Sequence, residues 1–210
     1  MVAAASELFG SLGYARTTFA KIAVAAGVSA ETVQAHGPKA ALMRAAGEYA
    51  AFGVADQQSV FDLDLGRGLL TIDDRDAAIT FMIDTLTDMY SRSASIWLAL
   101  AGAATMDPEL ASYHNDLVAN ITLQGRRLLG VCRDRGWLRD DIPFDDLVET
   151  TAVLTSVETY QRIVHHHGKS VDAYQKWLRR MLDETVFARG GLVPDESRRD
   201  RSSMQFKPSR

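Results

Sequence analysis

Residues 8–33 read LFGSLGYARTTFAKIAVAAGVSAETV, and the reading of this stretch decides the fold. Ala5, Leu8, Phe9 and Leu12 recur at helical spacing and make one apolar stripe, which Gly13 ends. Thr17 and Thr18 offer hydroxyl acceptors for the free N–H groups that open a second short helix, whose Ile22 and Ala23 face inward. Ala26-Gly27-Val28-Ser29 then makes a tight break. Gly27 can take a positive φ without steric cost, and Ser29 can cap a third helix running to about His36. Pro38 suits the first turn of a fourth helix, where its missing N–H would be unpaired in any case.

Outward from this stretch, helical periodicity continues and no strand run stands out, so the fold class is all-α. The pattern loosens between about residues 54 and 73, where Gly66 and Gly68 suggest a connector. A long helix or a broken pair follows: Ile79, Met82, Leu86 and Met89 stand at helical spacing, and Trp97 and Leu100 continue it past an irregularity near Ser91. Asp107-Pro108 opens the next helix, with Leu110, Tyr113, Leu117, Ile121, Leu128 and Cys132 on its inner face and Gly136 as its stop. Pro143 to Asp146 start another, ending at His165 to Gly168. Ser170 caps the last, which carries Val171, Tyr174, Leu178, Met181 and Thr185 on one side. Gly190-Gly191 closes the ordered fold. The remainder, with Arg198, Arg199, Arg201, Lys207 and Arg210, reads as a mobile tail that is solvated or touches DNA or nucleotides.

Bulk properties narrow the class. The chain has 210 residues, 47% hydrophobic and 24% charged, enough for one helical unit or a small head on a larger body. No run approaches the roughly 18 apolar residues of a membrane span, and the N-terminus lacks the basic start of a secretion signal. Cys132 is the only cysteine, which fits a reducing cytoplasm and excludes an internal disulfide. The net charge is −4, unevenly spread. Residues 1–50 carry four basic side chains against three acidic ones, and the rest carry nineteen against twenty-four. A head that approaches phosphates on an acidic, soluble body is compatible with that division.

Two short helices joined by a glycine turn, the second opening with small polar residues, form a helix-turn-helix. In that motif the second helix enters the major groove and its early residues reach base edges. The order and spacing of Leu8-Phe9, Gly13-Tyr14, Thr17-Thr18, Ile22-Ala23, Ala26-Gly27-Val28-Ser29 and Thr32-Val33 resemble the N-terminal head of the TetR family of repressors, over about the first fifty residues. The resemblance implies an all-α homodimer with a helix-turn-helix head (1–46), a helical ligand-binding and dimerisation body (47–189) and a tail (190–210). It implies a pseudo-palindromic double-stranded DNA operator and a small-molecule effector as partners, and no cofactor. It also places Thr18 and Lys39 at positions that hold phosphates, and Ser29, Ala30, Glu31, Thr32, Gln34 and His36 on or beside the groove-facing side. Gln34 can pair bidentately with adenine, and Thr32 can meet a phosphate or a thymine methyl. Glu31 can accept from a cytosine amino group or simply place a favourable charge in the first turn of its helix.

Three departures qualify the resemblance. Gln34 stands where the family usually has an aromatic that contacts the backbone of DNA. His36 runs directly into Gly37, one phenylalanine short, which should loosen the packing of the recognition helix on the fourth helix. Only Met1 and Val2 precede the first helix. An alternative reading follows, a small-molecule-binding or partner protein whose DNA-binding head has decayed.

In the body, Phe81, Met89, Tyr90, Trp97, Met106, Tyr113, Asn120 and Gln124 combine large, flexible apolar groups with scattered polar ones, as a small-molecule pocket does. Each can equally fill a core. The final two helices resemble the family's dimerising pair, with Leu154, Val157, Tyr160, Trp177 and Met181 as interface candidates. Two antiparallel helices cannot bury both apolar faces inside one thin body. His165-His166-His167 suggests a metal, but adjacent side chains on a helix diverge, and no ligand set is expected there. No nucleophile–base pair, carboxylate pair or phosphate-binding glycine loop points to catalysis.

Overall fold

Side-chain caps and glycine turns set the helix ends of the head in the computed structural model, which describes residues 1–52, 68–69 and 71–188. Helix α1 (Val2–Arg16) is broken at Gly13, whose φ is 78°. The two threonines that follow divide the work. Thr17 is fully buried, and its hydroxyl lies 3.0 Å from the Leu8 carbonyl and 2.9 Å from that of Gly13, tying off the end of α1. Thr18 is the cap: its side chain accepts from the Lys21 N–H at 3.3 Å and opens α2 (Phe19–Ala26). Gly27, at φ 66°, closes α2, and Ser29 accepts from the Thr32 N–H at 3.1 Å to open α3. Helix α3 (Ala30–Gln34) ends two residues before His36, and α4 (Lys39–Phe52) follows after Gly37 and Pro38.

The body begins with α5 (Arg75–Ala104), capped by Asp74, which accepts from the Ala77 N–H at 2.7 Å. The irregularity expected near Ser91 is absent. Ser91 bonds back to the Thr87 carbonyl at 2.8 Å within an unbroken helix. Helix α6 (Pro108–Asp134) is capped by Asp107, and Gly136, at φ 69°, turns the chain out of it. Ile121, expected on its inner face, is 47% exposed, because no described element covers the middle of α6. The next expected helix is instead two. Helix α7 (Phe144–Leu154) stops at Thr155, and Ser156 caps α8 (Val157–Tyr160), which runs on as a π-helical turn (Gln161–His166). The cause is local: the Thr155 hydroxyl bonds back to the Thr151 carbonyl at 2.8 Å, while Ser156 accepts from the Thr159 N–H at 3.2 Å. Helix α9 (Val171–Thr185) is capped by Ser170, and the chain beyond it pairs with residues 137–139 through a single bridge, Leu138 to Phe187. The connector lies mostly outside the described residues, Gly66 included, as do Gly190-Gly191 and the tail.

Two apolar cores result. One fills the body, where Ile79 and Ile83 of α5 meet Leu147 of α7, Tyr160 of α8, and Tyr174, Leu178 and Leu182 of α9. The other begins in the head with Ala5, Phe9, Ile22, Val33, Met43 and Ala46, and does not end there. It continues into Ile96, Leu100 and Ala103 of α5 and Leu110 of α6. The boundary expected at residue 46 therefore falls within α4 and within a shared core. Helix α1 reaches α5 at Gly10, where an added Cβ would lie 2.7 Å from Ser95 Oγ.

The loosening expected from the missing phenylalanine concerns α3 against α4, whereas α3 packs chiefly on α2. Val33, Leu42 and Met43 are all buried, and Gly37, at φ 109°, turns the chain directly into α4. The close approach at Gly10 gives a test of the docking. Gly10→Ala should be tolerated, because the Ser95 hydroxyl can rotate away. Gly10→Leu should lower stability by about 1–3 kcal/mol through overpacking, read as a drop in the thermal midpoint.

Candidate DNA-binding face

Helix α3 is short, and one residue fixes it. Val33 is fully buried against the head core, with Ala30 half-buried beside it. With those two turned inward, Ser29, Glu31, Thr32, Gln34 and His36 are exposed. The structure thus brings the groove candidates onto one open surface, except Ala30, whose methyl packs inward.

The exposed set is partly pre-ordered. The Ser29 and Thr32 hydroxyls lie 3.1 Å apart, and His36 Nδ1 lies 2.9 Å from the Thr32 carbonyl. Glu31 accepts from its own backbone N–H and from the Ser29 hydroxyl, which holds its carboxyl below the usual glutamate range. It is therefore ionised, and its charge favours the N-terminus of α3. Gln34 is left without a side-chain hydrogen bond among the described residues, with its amide directed by nothing but solvent.

The phosphate candidates differ from each other. Thr18 is exposed and already spends its oxygen on capping α2. Lys39 is half-buried, and its ammonium lies 4.3 Å from the centroid of the Tyr14 ring. Burial lowers its pKa from the ordinary lysine value. Two exposed cations flank Thr18 that the motif reading did not single out. Arg16 bonds through Nε to the Leu12 carbonyl at 2.9 Å, and Lys21 through Nζ to the Arg16 carbonyl at 2.8 Å. Their signal in the sequence was plain charge on either side of a capping threonine. Tyr14 was missed as well. Its hydroxyl donates to Asp107 Oδ2 at 3.3 Å, and burial together with the Asp107 charge pushes its pKa up to about 12.

The body candidates differ in their surroundings. Tyr90 is buried, with its hydroxyl donating to the Thr155 carbonyl at 2.5 Å. Phe81, Met89 and Trp97 are half-buried, and Trp97 Nε1 donates to Glu158 Oε1 at 2.7 Å. Tyr113 sits at the joint with the head, its hydroxyl 3.5 Å from Glu48 Oε1. Met106 is 74% exposed in the turn between α5 and α6, and Asn120 is exposed and accepts from Gln124 Nε2 at 3.1 Å. Two surface grooves among the described residues of the body are lined by other side chains. One runs between α5 and α9 past Thr80, Asp84 and Arg179, the other beside Leu138, Ile142 and Phe144. Two buried polar atoms on α6, His114 Nε2 and Gln124 Oε1, have no hydrogen-bond partner among the described residues, and the His114 ring lies 5.2 Å from that of Trp97.

Among the interface candidates, Val157 and Tyr160 are buried in the body core of this chain itself, where Tyr160 packs edge-on against Tyr174 with ring centroids 5.1 Å apart. Leu154, Trp177 and Met181 are half-buried, and Val153 and Val171, beside them on α7 and α9, are exposed. His165, His166 and His167 are exposed, and no group of three metal-ligating side chains occurs among the described residues. No described helix is long and apolar enough to cross a membrane. Burial pushes the Cys132 thiol up to about 11, which leaves it un-ionised at neutral pH.

A helix-turn-helix with an exposed second helix, set on a larger helical body, defines an all-α DNA-binding regulator. Residues 1–46 match the family profile described as bacterial regulatory proteins, tetR family. The fold extends the likeness to the whole chain. A transcriptional regulator of Saccharomonospora viridis, in complex with choline, superposes with a TM-score of 0.69 at 20% identity, over 90% of this chain and 96% of that one. SmeT in complex with triclosan superposes at 0.68 with 18% identity, over 99% and 97%. SmeT is the repressor of the Stenotrophomonas maltophilia multidrug efflux pump SmeDEF. The fatty acid degradation regulator FadR of Bacillus halodurans superposes at 0.63 with 14% identity, over 86% and 91%. No curated protein sequence matches the chain.

The order of α3 hangs on its cap. Ser29→Ala should destabilise the protein by about 1 kcal/mol, and Ser29→Asp should restore most of it, since aspartate caps equally well. Thermal unfolding of the three proteins checks this.

Proposed function

We propose that this chain is a dimeric transcriptional repressor that a small, mostly apolar effector releases from a pseudo-palindromic operator. The observation that carries the reading is the head itself. Helix α3 is anchored by one buried valine, opened by a serine cap, and otherwise turned to solvent, the arrangement a recognition helix needs. The rival reading, a small-molecule-binding or partner protein with a decayed head, draws on Gln34 as well as on the missing phenylalanine. Against it, Val33, Leu42 and Met43 are buried in the head core. The roles of Ser29, Glu31, Thr32, Gln34 and His36 at base edges, and of Thr18 and Lys39 at phosphates, belong to this proposal. So does the division into a DNA-binding head, a sensing body and a tail.

The effector site is the space between α5 and α6. Trp97 supplies apolar surface there, and His114 Nε2 and Gln124 Oε1, without partners among the described residues, supply polar atoms for a ligand to satisfy. The regulators complexed with choline and triclosan support an effector of drug size. The dimer surface is formed by α7 and α9 with the exposed Val153 and Val171 and the half-buried Leu154, Trp177 and Met181. Lining a partner with these residues buries apolar groups that the single chain leaves in water.

Two experiments test the reading. With a duplex selected from a random-sequence library, Lys39→Ala should weaken binding to all sequences. It should also make the salt dependence shallower, by about 0.9 log units for each phosphate the protein no longer neutralises. Gln34→Ala should instead relax preference at one base pair by about 1–3 kcal/mol; a uniform weakening would reduce Gln34 to a phosphate ligand. For the assembly, Trp177→Glu or Met181→Glu should convert a dimer to a monomer in light scattering, while Val157→Asp should unfold the chain. A monomeric unmodified protein would overturn the dimer.

A further inference from the structure

Lys39 is the only cation among the DNA-facing candidates, and its charge is already engaged. The ammonium lies 4.3 Å from the centroid of the Tyr14 ring, whose face attracts it. Tyr14 is held in turn from its far end. Its hydroxyl donates to Asp107 Oδ2 at 3.3 Å, a long bond that a small displacement would break. Donation to a carboxylate also enriches the phenol ring in electrons, which strengthens its hold on a cation. Asp107 uses its other oxygen to cap α6, accepting from the Glu109 N–H at 3.0 Å and the Leu110 N–H at 3.2 Å. A continuous chain of interactions therefore runs from the DNA face, through Tyr14, to the first turn of a body helix.

We propose that Tyr14, tied to Asp107, is a positioning residue that withholds Lys39 from DNA in the free protein, so that the N-terminus of α6 sets how much of that charge a duplex can use. This rests on the reading of Lys39 as a phosphate ligand. To reach a phosphate, the ammonium must leave the ring, and giving up the ring weakens binding. Asp107 follows directly on the turn that joins α5 to α6, so a ligand between those helices moves the tie. A movement that tightens the Tyr14–Asp107 bond keeps Lys39 on the ring and weakens DNA binding; one that breaks it frees the charge. This route runs beside α4 and does not require α4 to tilt.

The test uses the full chain and the duplex selected above. Asp107→Ser keeps a helix cap but cannot reach Tyr14, and so should preserve stability while cutting the tie. Asp107→Asn removes the same negative charge yet retains the cap and a hydrogen-bonding group opposite the Tyr14 oxygen. Asp107→Ser should therefore bind the duplex about two- to fivefold tighter than Asp107→Asn, the equivalent of an exposed cation–π interaction. Tyr14→Phe, with no change of charge, also cuts the tie and should shift affinity in the same direction relative to the unmodified protein. In the free proteins, the ring-current shift of the Lys39 ε-methylene protons should persist in Asp107→Asn, shrink in Asp107→Ser, and vanish when the unmodified protein binds DNA. Equal affinities for the serine and asparagine variants, or weaker binding by serine, would overturn the positioning role while leaving Lys39 as a phosphate ligand. If Lys39→Ala leaves affinity unchanged, both readings fall together.

Discussion

Phe9 and Ala5 of α1 are buried against Ile96, Leu100 and Ala103 of α5, and Gly10 lets the two helices close to a distance that a large side chain would hold apart. The position of α3 relative to the body depends on this packing. Burial of a side chain the size of Phe9 contributes about 1.5–3 kcal/mol, and the head, at about fifty residues, is too small to close a strong core by itself. By sharing its core with α5 and α6, it gains stability and gives up independence. A displacement of α5 near Ser95 is then a displacement of α1, because close-packed interiors pass strain on and do not absorb it.

At the first turn of α6 the same joint becomes polar. Asp107 meets Tyr14, Glu109 lies 3.7 Å from Arg44, and Tyr113 lies 3.5 Å from Glu48. The Arg44–Glu109 pair is half-exposed on both sides, and such pairs contribute about 0–1 kcal/mol. Interactions of that size do not hold the head on, since the apolar core does so. They can bias which of two close arrangements is occupied, because allosteric coupling is itself only about 1–3 kcal/mol and must be reciprocal between the sites it joins. The division of labour is physical: the apolar packing is non-directional and fixes adjacency, while the polar interactions are directional and can be made or broken by a small shift.

The head was legible in the sequence because its determinants are local. A cap bonds within three residues of itself and a left-handed glycine needs no partner, so Thr18, Gly27 and Ser29 could be placed from spacing alone. The cost of the missing phenylalanine is not local in this way, because it depends on how neighbours such as Val33, Leu42 and Met43 are buried in the head core. The long segment from Pro143 to Gly168 reads in sequence as one helix, since periodicity does not register Thr155 and Ser156 turning their hydroxyls on the backbone. Ligand candidates were the least legible. Met89, Trp97 and Gln124 carry the same chemistry as Met106 and Asn120, and only the packing of α5 on α6 separates those turned inward from those in water. Val157 and Tyr160, two of the interface candidates, lie just after the break before α8 and are buried in the body core of the single chain.

The composition of the DNA face implies how affinity and selectivity are divided in the proposed complex. Helix α3 contributes no cation, and its one formal charge is Glu31, held ionised by the Ser29 hydroxyl and a backbone N–H. A carboxylate at a groove floor is repelled by phosphates and by the acceptor atoms of guanine, and it is compensated only where it meets a cytosine amino group. In such a complex Glu31 would act mainly by penalising wrong sequences, and Gln34 by rewarding adenine. Attraction to the duplex must then come from outside α3, from Arg16 and Lys21 beside the α2 cap and from Lys39 at the start of α4. With so few cations, each one matters more to the total, because neutralised phosphates dominate affinity. That is why the engagement of Lys39 with Tyr14 has consequences here that it would not have on a densely basic surface.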